Sequence, residues 1–300
     1  MTENIFMLHN INKFKIIYII WFMKTLGIII DSFSGITQKE AQKQGFYFLP
    51  LQIEINGKVY EDGIDSTENL LEKLLTANTF LTSLPRLDRI ETSITEASEK
   101  FDEVIYLGIN ENLSSASRYA KTIAQNFKNV HIFDNHLVGS QITKVANFAL
   151  EHFKKHQNID QLLSEMNQIN QESLTFLVPT NLNYMIKGGR LTGVKKFIMT
   201  KIAMIPVLEY KENGTVSPVA LKRTFAGALQ KITEKLVKIK DSFDISLICG
   251  IDQKNNDTVN KIVQENDIKL DTVQKTPMTI AIHTGPEAVA LIAMPKLALK

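Results

Sequence analysis

Cysteine is almost absent from this sequence: Cys249 is the only one in 300 residues, so no disulfide can form within the chain. Its position in the apolar run "ISLICGI" predicts a buried, inert thiol in a reducing compartment, which favours a cytoplasmic protein. The sequence also lacks a Gly-x-Ser-x-Gly elbow, a Walker loop, a Gly-x-Gly-x-x-Gly fingerprint and a His/Cys set with metal-ligand spacing. We therefore expect no metal site, no nucleotide site and no other cofactor.

A strong charge of one sign is missing as well, because the formal net charge is only +2. The overall composition therefore does not require nucleic acid as a partner. The charge is unevenly distributed, however. Residues 185–240 contain twelve Lys and Arg against three Glu, a balance of +9, which leaves −7 for the rest of the chain. This basic tract is either a set of solvated helix faces or a docking surface for an acidic partner or a phosphate.

The first 23 residues differ in composition from the rest. Their apolar run, residues 16–23, has eight residues and is too short to span a bilayer. Lys13 and Lys15 precede it as in a signal peptide, but no small-residue cleavage site follows. We expect residues 1–23 to be an extension or a mis-called start, with Met23 as the true first residue. A membrane-surface anchor is the alternative.

Residues 24–170 show strands alternating with helices, which predicts a parallel, doubly wound α/β domain. The runs that predict its strands are "TLGIII", "FYFLPLQIEI", "EVIYLGI" and "NVHIFDN". The Asn56-Gly57 pair is a strong hairpin signal and predicts a turn after the second of these runs.

Residues 171–300 predict a smaller, mixed α/β domain with an antiparallel element. A hairpin is expected around Asn213 and Gly214, with a helix between "KGGRLT" and that hairpin. The run "TIAIHTG" predicts another strand, after which Pro286 is expected to open a helix.

Small hydroxyl residues stand at three predicted helix starts. They are Thr82-Ser83, Ser114-Ser115 in "NENLSSASRYA", and Thr284 within His283-Thr284-Gly285. Helix N-termini offer unpaired N–H groups and partial positive charge, and in an open α/β sheet they border the binding crevice. Hydroxyls and an imidazole add donors. The combination predicts an anion site, although each piece alone is more typical of a helix cap or a structural histidine.

The chain resembles the DegV family, whose best-understood members are fatty-acid-binding proteins that serve as the acyl-carrier (FakB-type) subunit of bacterial fatty acid kinase. The resemblance runs from Lys24 to Ile292. It rests on the motifs "IIIDSFSG", "FLPLQIEINGKVYEDG", "TSLP", "LSSA", "LVPTNLNYMIKGGRLTG", "IPVLEYKENGTV", "KRT" and "IHTGPEAVAL". It implies a two-domain fold, a parallel α/β domain followed by a smaller mixed α/β domain, with a lipid between them.

The resemblance also implies roles for individual residues. Those expected to bind the lipid head group are Thr82, Ser83, Ser114, Ser115, His283, Thr284, Gly285 and Arg190. Those expected on the surface that faces the kinase are Lys222 and Arg223. Asp31 and Ser32 are expected to shape the site without touching the ligand. The sequence departs from the family pattern at "TSLPR", where "TSQPS" is usual, and at "NENLSSA", where "SSxLSGT" is usual.

The implied function is carriage of a long-chain fatty acid, with phosphorylation of its carboxylate left to a separate kinase. Candidates for the wall around the acyl tail are the stretches "LNYMI" and "KKFIMTKIAMIPVL". Nucleic acid is not an expected partner, and membrane contact is expected to be transient at most. Two alternatives stay open: a carrier of another amphipathic anion, and a serine hydrolase that uses Ser114, His283 and Asp31.

Overall fold

The computed structural model describes residues 23–189 and 204–298. The strands in these ranges are β1 (Leu26–Asp31), β2 (Tyr47–Leu49), β3 (Gln52–Ile55), β4 (Lys58–Glu61), β5 (Phe80–Ser83), β6 (Glu103–Leu107), β7 (Val130–Ile132), β8 (Leu174–Val178), β9 (Ile205–Tyr210), β10 (Val216–Lys222), β11 (Phe243–Cys249), β12 (Leu270–Lys275) and β13 (Val289–Pro295). The helices are α1 (Gln38–Lys43), α2 (Thr67–Leu75), α3 (Leu87–Lys100), α4 (Ala116–Ala124), α5 (Ser140–His156), α6 (Ile159–Glu172), α7 (Leu182–Gly188), α8 (Phe225–Leu236), α9 (Gln253–Glu265) and α10 (Met278–Thr284).

Four of the sequence predictions fall wholly or partly outside the described residues. They are the N-terminal extension apart from Met23, Arg190, the helix after "KGGRLT", and residues 195–203 of the acyl-tail stretch "KKFIMTKIAMIPVL". None of the helices within the described ranges is long and apolar enough to cross a membrane.

The first sheet is parallel throughout, in the order β2-β1-β6-β7. All six residues of β1 are buried, as expected for a central strand covered on both faces. Ile28 and Ile30 pack in one apolar layer and Ile29 packs in the opposite one, because successive side chains of a strand alternate. The prediction of a parallel α/β domain is confirmed.

Helices supply both apolar layers. α3 and α4 cover one face of the parallel sheet, α5 covers the other, and α6 packs on α5 in the same apolar layer. The second layer also contains Ile292 and Met294 of β13, which belongs to the other large sheet. Gln141 at the start of α5 donates to the carbonyl of Ala293 at 3.0 Å. α5 and α6 therefore pack between the two large sheets.

The second large sheet has six strands in the order β10-β9-β8-β13-β11-β12. Its strand pairs are antiparallel except β11 with β12, which confirms a mixed α/β second half. The hairpin at Asn213-Gly214 is confirmed between β9 and β10. α8 and α9 cover the outer face. The predicted domain boundary after residue 170 falls in the last turn of α6 and stays a prediction.

A third, antiparallel sheet has the order β4-β3-β5. Asn56 (φ 49°) and Gly57 (φ 79°) join β3 to β4, so the predicted hairpin is confirmed with the positive φ angles that a tight turn requires. The run "FYFLPLQIEI" was predicted as one strand and is two. β2 joins the parallel sheet and β3 joins this one, because Pro50 has no N–H to continue a ladder.

One of the three predicted helix starts is wrong and another is displaced along the chain. Thr82 and Ser83 end β5, an unpredicted strand, and α3 begins four residues later at Leu87. The run "TIAIHTG" is not a strand, and Pro286 does not open a helix. Residues 278–284 form α10, with His283 near its C-terminal end, and β13 follows. The third prediction is confirmed, since α4 begins directly after Ser115.

The physical reason for the α10 correction lies in tertiary packing. Met278, Ala281 and Ile282 have helical spacing and pack on Leu70 and Leu74 of α2. β13 is wholly apolar up to Met294 because it pairs with β8 on one side and β11 on the other, in the middle of the sheet. A short apolar run does not distinguish these two outcomes by its own pattern.

Candidate functional site

A cavity of about 580 Å³ lies between the parallel sheet and the six-stranded sheet. Phe33 and Ile109, which follow β1 and β6, form part of its wall, and Leu177, Ile248 and Ala290 contribute from the six-stranded sheet. The volume falls within the range of small-molecule sites, about 300–1,000 Å³. The cavity is therefore large enough for an organic ligand and offers it a largely apolar surface.

Six of the eight residues predicted to bind a head group line this cavity. They are Thr82, Ser83, Ser114, Ser115, His283 and Thr284. Gly285 follows α10 and is not among the lining residues, whereas Arg190 lies outside the described residues. The structure thus brings together side chains that are far apart in the chain; Thr82 and His283, for example, are 201 positions apart. Their role in ligand binding stays a prediction.

The closest contact within this group joins Thr82 to His283. Thr82 Oγ1 lies 2.8 Å from His283 Nε2, and both side chains are partly buried. Thr82 sits on β5, where its hydroxyl reaches across to the last turn of α10. A hydroxyl and an imidazole at this distance form a hydrogen-bonded pair that can offer a donor to an anion.

Gly188, the last residue of α7, allows His283 to take this position. A Cβ on Gly188 would lie 2.3 Å from Nδ1 of His283, closer than real Cβ atoms approach. The glycine of "KGGR" is therefore required by close approach to the imidazole, because any side chain would displace the ring.

The loop that carries Ser114 is organised by Asn110, which is buried. Its side chain donates to Asp134 Oδ1 at 3.0 Å and to the Asn135 carbonyl at 2.8 Å, and it accepts from the Asn112 N–H at 2.8 Å. The Asn110 carbonyl accepts from the Ser114 N–H at 3.1 Å. The departure "NENLSSA" thus forms an ordered, hydrogen-bonded loop at the edge of the cavity.

The β9–β10 hairpin closes on the same loop. Asn112 Nδ2 donates to the Asn213 carbonyl at 2.8 Å. Gly214 has φ 74°, and a Cβ there would lie 2.1 Å from Asn110 Oδ1, so glycine is required by both conformation and contact. These contacts tie the second domain to the edge of the first beside Ser114.

Asp31 is fully buried behind the cavity wall. Its carboxylate accepts from the Phe33 N–H at 3.0 Å and the Ile109 N–H at 2.7 Å. Burial raises the pKa of Asp31 to about 7, although these two hydrogen bonds act to lower it, and the charge of nearby Asp62 adds to the rise. Asp31 and Ser32 do not line the cavity, whereas Phe33 and Ile109 do. Asp31 therefore holds the backbone of two wall segments.

The geometry also bears on the hydrolase alternative. That mechanism needs a carboxylate to orient His283 and needs His283 to contact the nucleophile Ser114. The Asp31 carboxylate instead binds two backbone N–H groups, and Nε2 of His283 faces Thr82. This arrangement favours binding over nucleophilic catalysis.

No group of three His, Cys, Asp or Glu within residues 23–189 and 204–298 could hold a metal ion. Cys249 is half-buried with Sγ 3.3 Å from the Gln274 carbonyl, and burial raises the pKa of its thiol. Both features are typical of an unreactive cysteine.

The two residues predicted to face a kinase lie apart from the cavity lining. Lys222 ends β10 and is half-buried, and Arg223 is exposed in the turn before α8. Thr224 caps α8 by accepting from the Gly227 N–H at 3.0 Å, which fixes this turn.

Sequence reasoning missed several polar residues of the cavity, including Arg118, Asn112 and Thr279. Arg118 and Asn112 flank Ser114, so their proximity in sequence was an available signal. No local sequence signal pointed to Thr279, because its segment was predicted as a strand.

The fold and the cavity define a two-domain α/β protein with a mostly apolar cavity between its two large sheets, lined in part by hydroxyls and an imidazole. The sequence model of the DegV family, described as uncharacterised proteins, matches residues 25–296. The chain belongs to the DegV family, which confirms the resemblance noted in its motifs.

Relatives in mycoplasmas match over nearly their whole length. A DegV domain-containing protein of Mycoplasmopsis pulmonis is 28% identical over 275 residues, which cover 89% of this chain and 93% of that protein. Another, from Mycoplasma genitalium, is 28% identical over 291 residues, with coverage of 90% and 98%.

Solved structures share the fold. A fatty-acid-binding DegV family protein from Streptococcus agalactiae matches with a TM-score of 0.83 at 23% identity, covering 91% of this chain and 100% of that one. A stearic-acid-binding protein from Eubacterium ventriosum matches with a TM-score of 0.77 at 20% identity, with coverage of 91% and 99%. These likenesses confirm the predicted two-domain fold.

Proposed function

We propose that this chain binds a long-chain fatty acid in the cavity, with the carboxylate held by Thr82, Ser83, Ser114 and His283. The observation that carries the proposal is the cavity itself, whose largely apolar lining includes the hydrogen-bonded Thr82–His283 pair. The fatty-acid-binding proteins that share the fold support the same ligand class.

The energetics fit an amphipathic acid. Burial of each methylene contributes about 0.8 kcal/mol, so a long acyl chain supplies a large driving force. Burial of a neutral polar group without a partner costs about 2–7 kcal/mol, and burial of an unpaired carboxylate costs far more. The hydroxyl and imidazole donors in the cavity lining offset that cost.

The chain itself does no chemistry in this proposal. A separate fatty acid kinase phosphorylates the held carboxylate, and the turn with Lys222 and Arg223 belongs to the surface it contacts. The exposure of Arg223 and the basic balance of residues 185–240 support this assignment.

The decisive experiment measures the ligand directly. Protein purified from a bacterial host should release a fatty acid on denaturation, detected by mass spectrometry. After delipidation, a fluorescent fatty acid should rebind. Thr82→Val, which removes the hydroxyl and keeps the shape, should raise Kd by about 10- to 100-fold, as expected for a hydrogen bond to a charged group.

Thr79→Val is the matched control, because Thr79 is exposed just before β5. Absence of any extracted or rebinding fatty acid would refute the function. Equal affinity of wild type and Thr82→Val would refute the head-group assignment alone.

A further inference from the structure

One short helix supplies much of the polar wall of the cavity. The seven residues of α10 contribute Thr279, Ile280, His283 and Thr284 to the lining. A shift of this helix along its axis would move all four side chains at once. The contacts that fix the helix therefore decide where His283 lies.

The N-terminus of α10 has no cap from its own segment. The residue at the cap position is Pro277, whose ring has no hydrogen-bonding group. Asp62 acts in its place: its carboxylate oxygens accept from the Met278 N–H at 3.2 Å and from the Thr279 N–H at 3.0 Å. The Thr279 hydroxyl donates to the same carboxylate at 2.5 Å.

This contact is strong for two reasons. Asp62 is only 2% exposed, so the three hydrogen bonds are shielded from water. Its oxygens also lie at the N-terminus of the helix, where burial has the largest effect on the pKa of Asp62 and raises it, although the hydrogen bonds from Thr279 and Met278 act to lower it. The bonds join residues 216 and 217 positions apart in the chain.

The other end of α10 is held by the same small sheet. Asp62 directly follows β4, which pairs with β3, and β3 pairs with β5. Thr82 on β5 contacts His283 at 2.8 Å. The Asp62 N–H donates to the Leu51 carbonyl at 2.9 Å, which fixes Asp62 against the start of β3. The three-stranded sheet thus holds α10 at its first and last turns.

We propose that Asp62 is a positioning residue for the ligand site: by fixing the N-terminus of α10 to the three-stranded sheet, it sets the place of His283 beside Thr82. The consequence for fatty acid binding rests on the proposed function. The effect on His283 does not, because it concerns the ligand-free protein.

The test replaces Asp62 with Ala in the full chain and follows His283 by NMR of the imidazole nitrogens. The chain has six histidines, and His283→Gln identifies the relevant signals. Asp62→Ala should shift the His283 signals in the free protein and raise the Kd for a fluorescent fatty acid at least tenfold. Asp65→Ala is the matched control, because Asp65 is an exposed carboxylate in the same loop that accepts from the Glu61 N–H at 2.8 Å. It should change neither quantity.

A second variant separates positioning from capping. Pro277→Ser in the Asp62→Ala protein supplies a local cap oxygen but no link to the sheet. It should recover thermal stability and leave the His283 signals and Kd altered. If thermal stability, the His283 signals and the Kd all return to their wild-type values, Asp62 acts only as a helix cap, and the proposal is overturned.

Asp62→Asn, which keeps one acceptor oxygen, replaces Asp62→Ala if that variant does not fold, and should shift His283 in the same direction by less. Unchanged His283 signals in the folded variant would also overturn the proposal. If the wild type binds no fatty acid, the proposed function fails while the histidine signals still decide the role of Asp62.

Discussion

The buried carboxyl of Asp31 makes a specific prediction about stability and pH. Its ordinary pKa is 3.8, and burial raises the folded-state pKa to about 7. Between these two values the folded protein keeps a proton that the unfolded chain releases, so the free energy of unfolding falls as pH rises. Each unit of pKa corresponds to about 1.4 kcal/mol, so the loss from pH 4 to pH 8 is of order 4 kcal/mol.

Asp31→Asn removes this titration. The amide keeps one acceptor oxygen for the two N–H groups of Phe33 and Ile109, so a pH-independent cost of about 1–3 kcal/mol is expected. We expect wild type to be clearly more stable than Asp31→Asn near pH 4.5, and this advantage to shrink or reverse by pH 8. Urea unfolding of both proteins at several pH values measures the difference directly.

Asp102→Asn is a control whose titration lies below the tested pH range, so its stability should differ from wild type by a constant amount between pH 4.5 and pH 8. Hydrogen bonds from the Thr25 N–H and hydroxyl, at 2.7 and 2.8 Å, lower the pKa of Asp102. Its contribution to stability is therefore present above the ordinary pKa and is lost as pH falls through the lowered one. Parallel curves for wild type and Asp31→Asn across pH 4.5–8 would refute the account of Asp31.

Two further predictions concern the site and its surroundings. Gly188→Ala places a methyl group 2.3 Å from Nδ1 of His283, so we expect fatty acid Kd to rise about tenfold with little loss of thermal stability. When His283 is already replaced by Ala, Gly188→Ala should have no further effect on the fatty acid Kd. An unchanged Kd in the Gly188→Ala single variant would contradict the close contact between residue 188 and the His283 ring. Arg223→Ala should lower kcat/KM of a bacterial fatty acid kinase acting on the loaded protein and leave fatty acid Kd unchanged, whereas Lys39→Ala, at an exposed site on α1, should alter neither. Equal loss of both quantities in Arg223→Ala would show that this turn is not a docking surface.

The parts of the fold that could be predicted from sequence are those with a local cause. The buried strand β1 is a short β-branched run, and the two hairpins require positive φ angles at Asn56, Gly57 and Gly214, which asparagine and glycine accept. Ser114 and Ser115 were placed correctly because the helix start that follows them is set by nearby residues.

The wrong predictions concern segments whose secondary structure is determined by contacts with residues far away in the sequence. Residues 278–284 contain β-branched and apolar residues that suit a strand, yet they form α10 because they pack on α2 and bind Asp62. Thr82 was recognised as a candidate although its element was mistaken. Asp62 was missed, since its partners lie more than 200 residues away and no local pattern indicates them.

The shared layer formed by α5 and α6 limits how the molecule can be divided. A chain cut after residue 170 would keep α5 and nearly all of α6. It would expose the apolar surface of these helices that Ile292 and Met294 cover in the full chain. Exposed apolar surface of that extent is unfavourable in water, so the first half is not expected to be an independent folding unit. Unfolding should then be one cooperative transition of both halves, even though the strands form separate sheets.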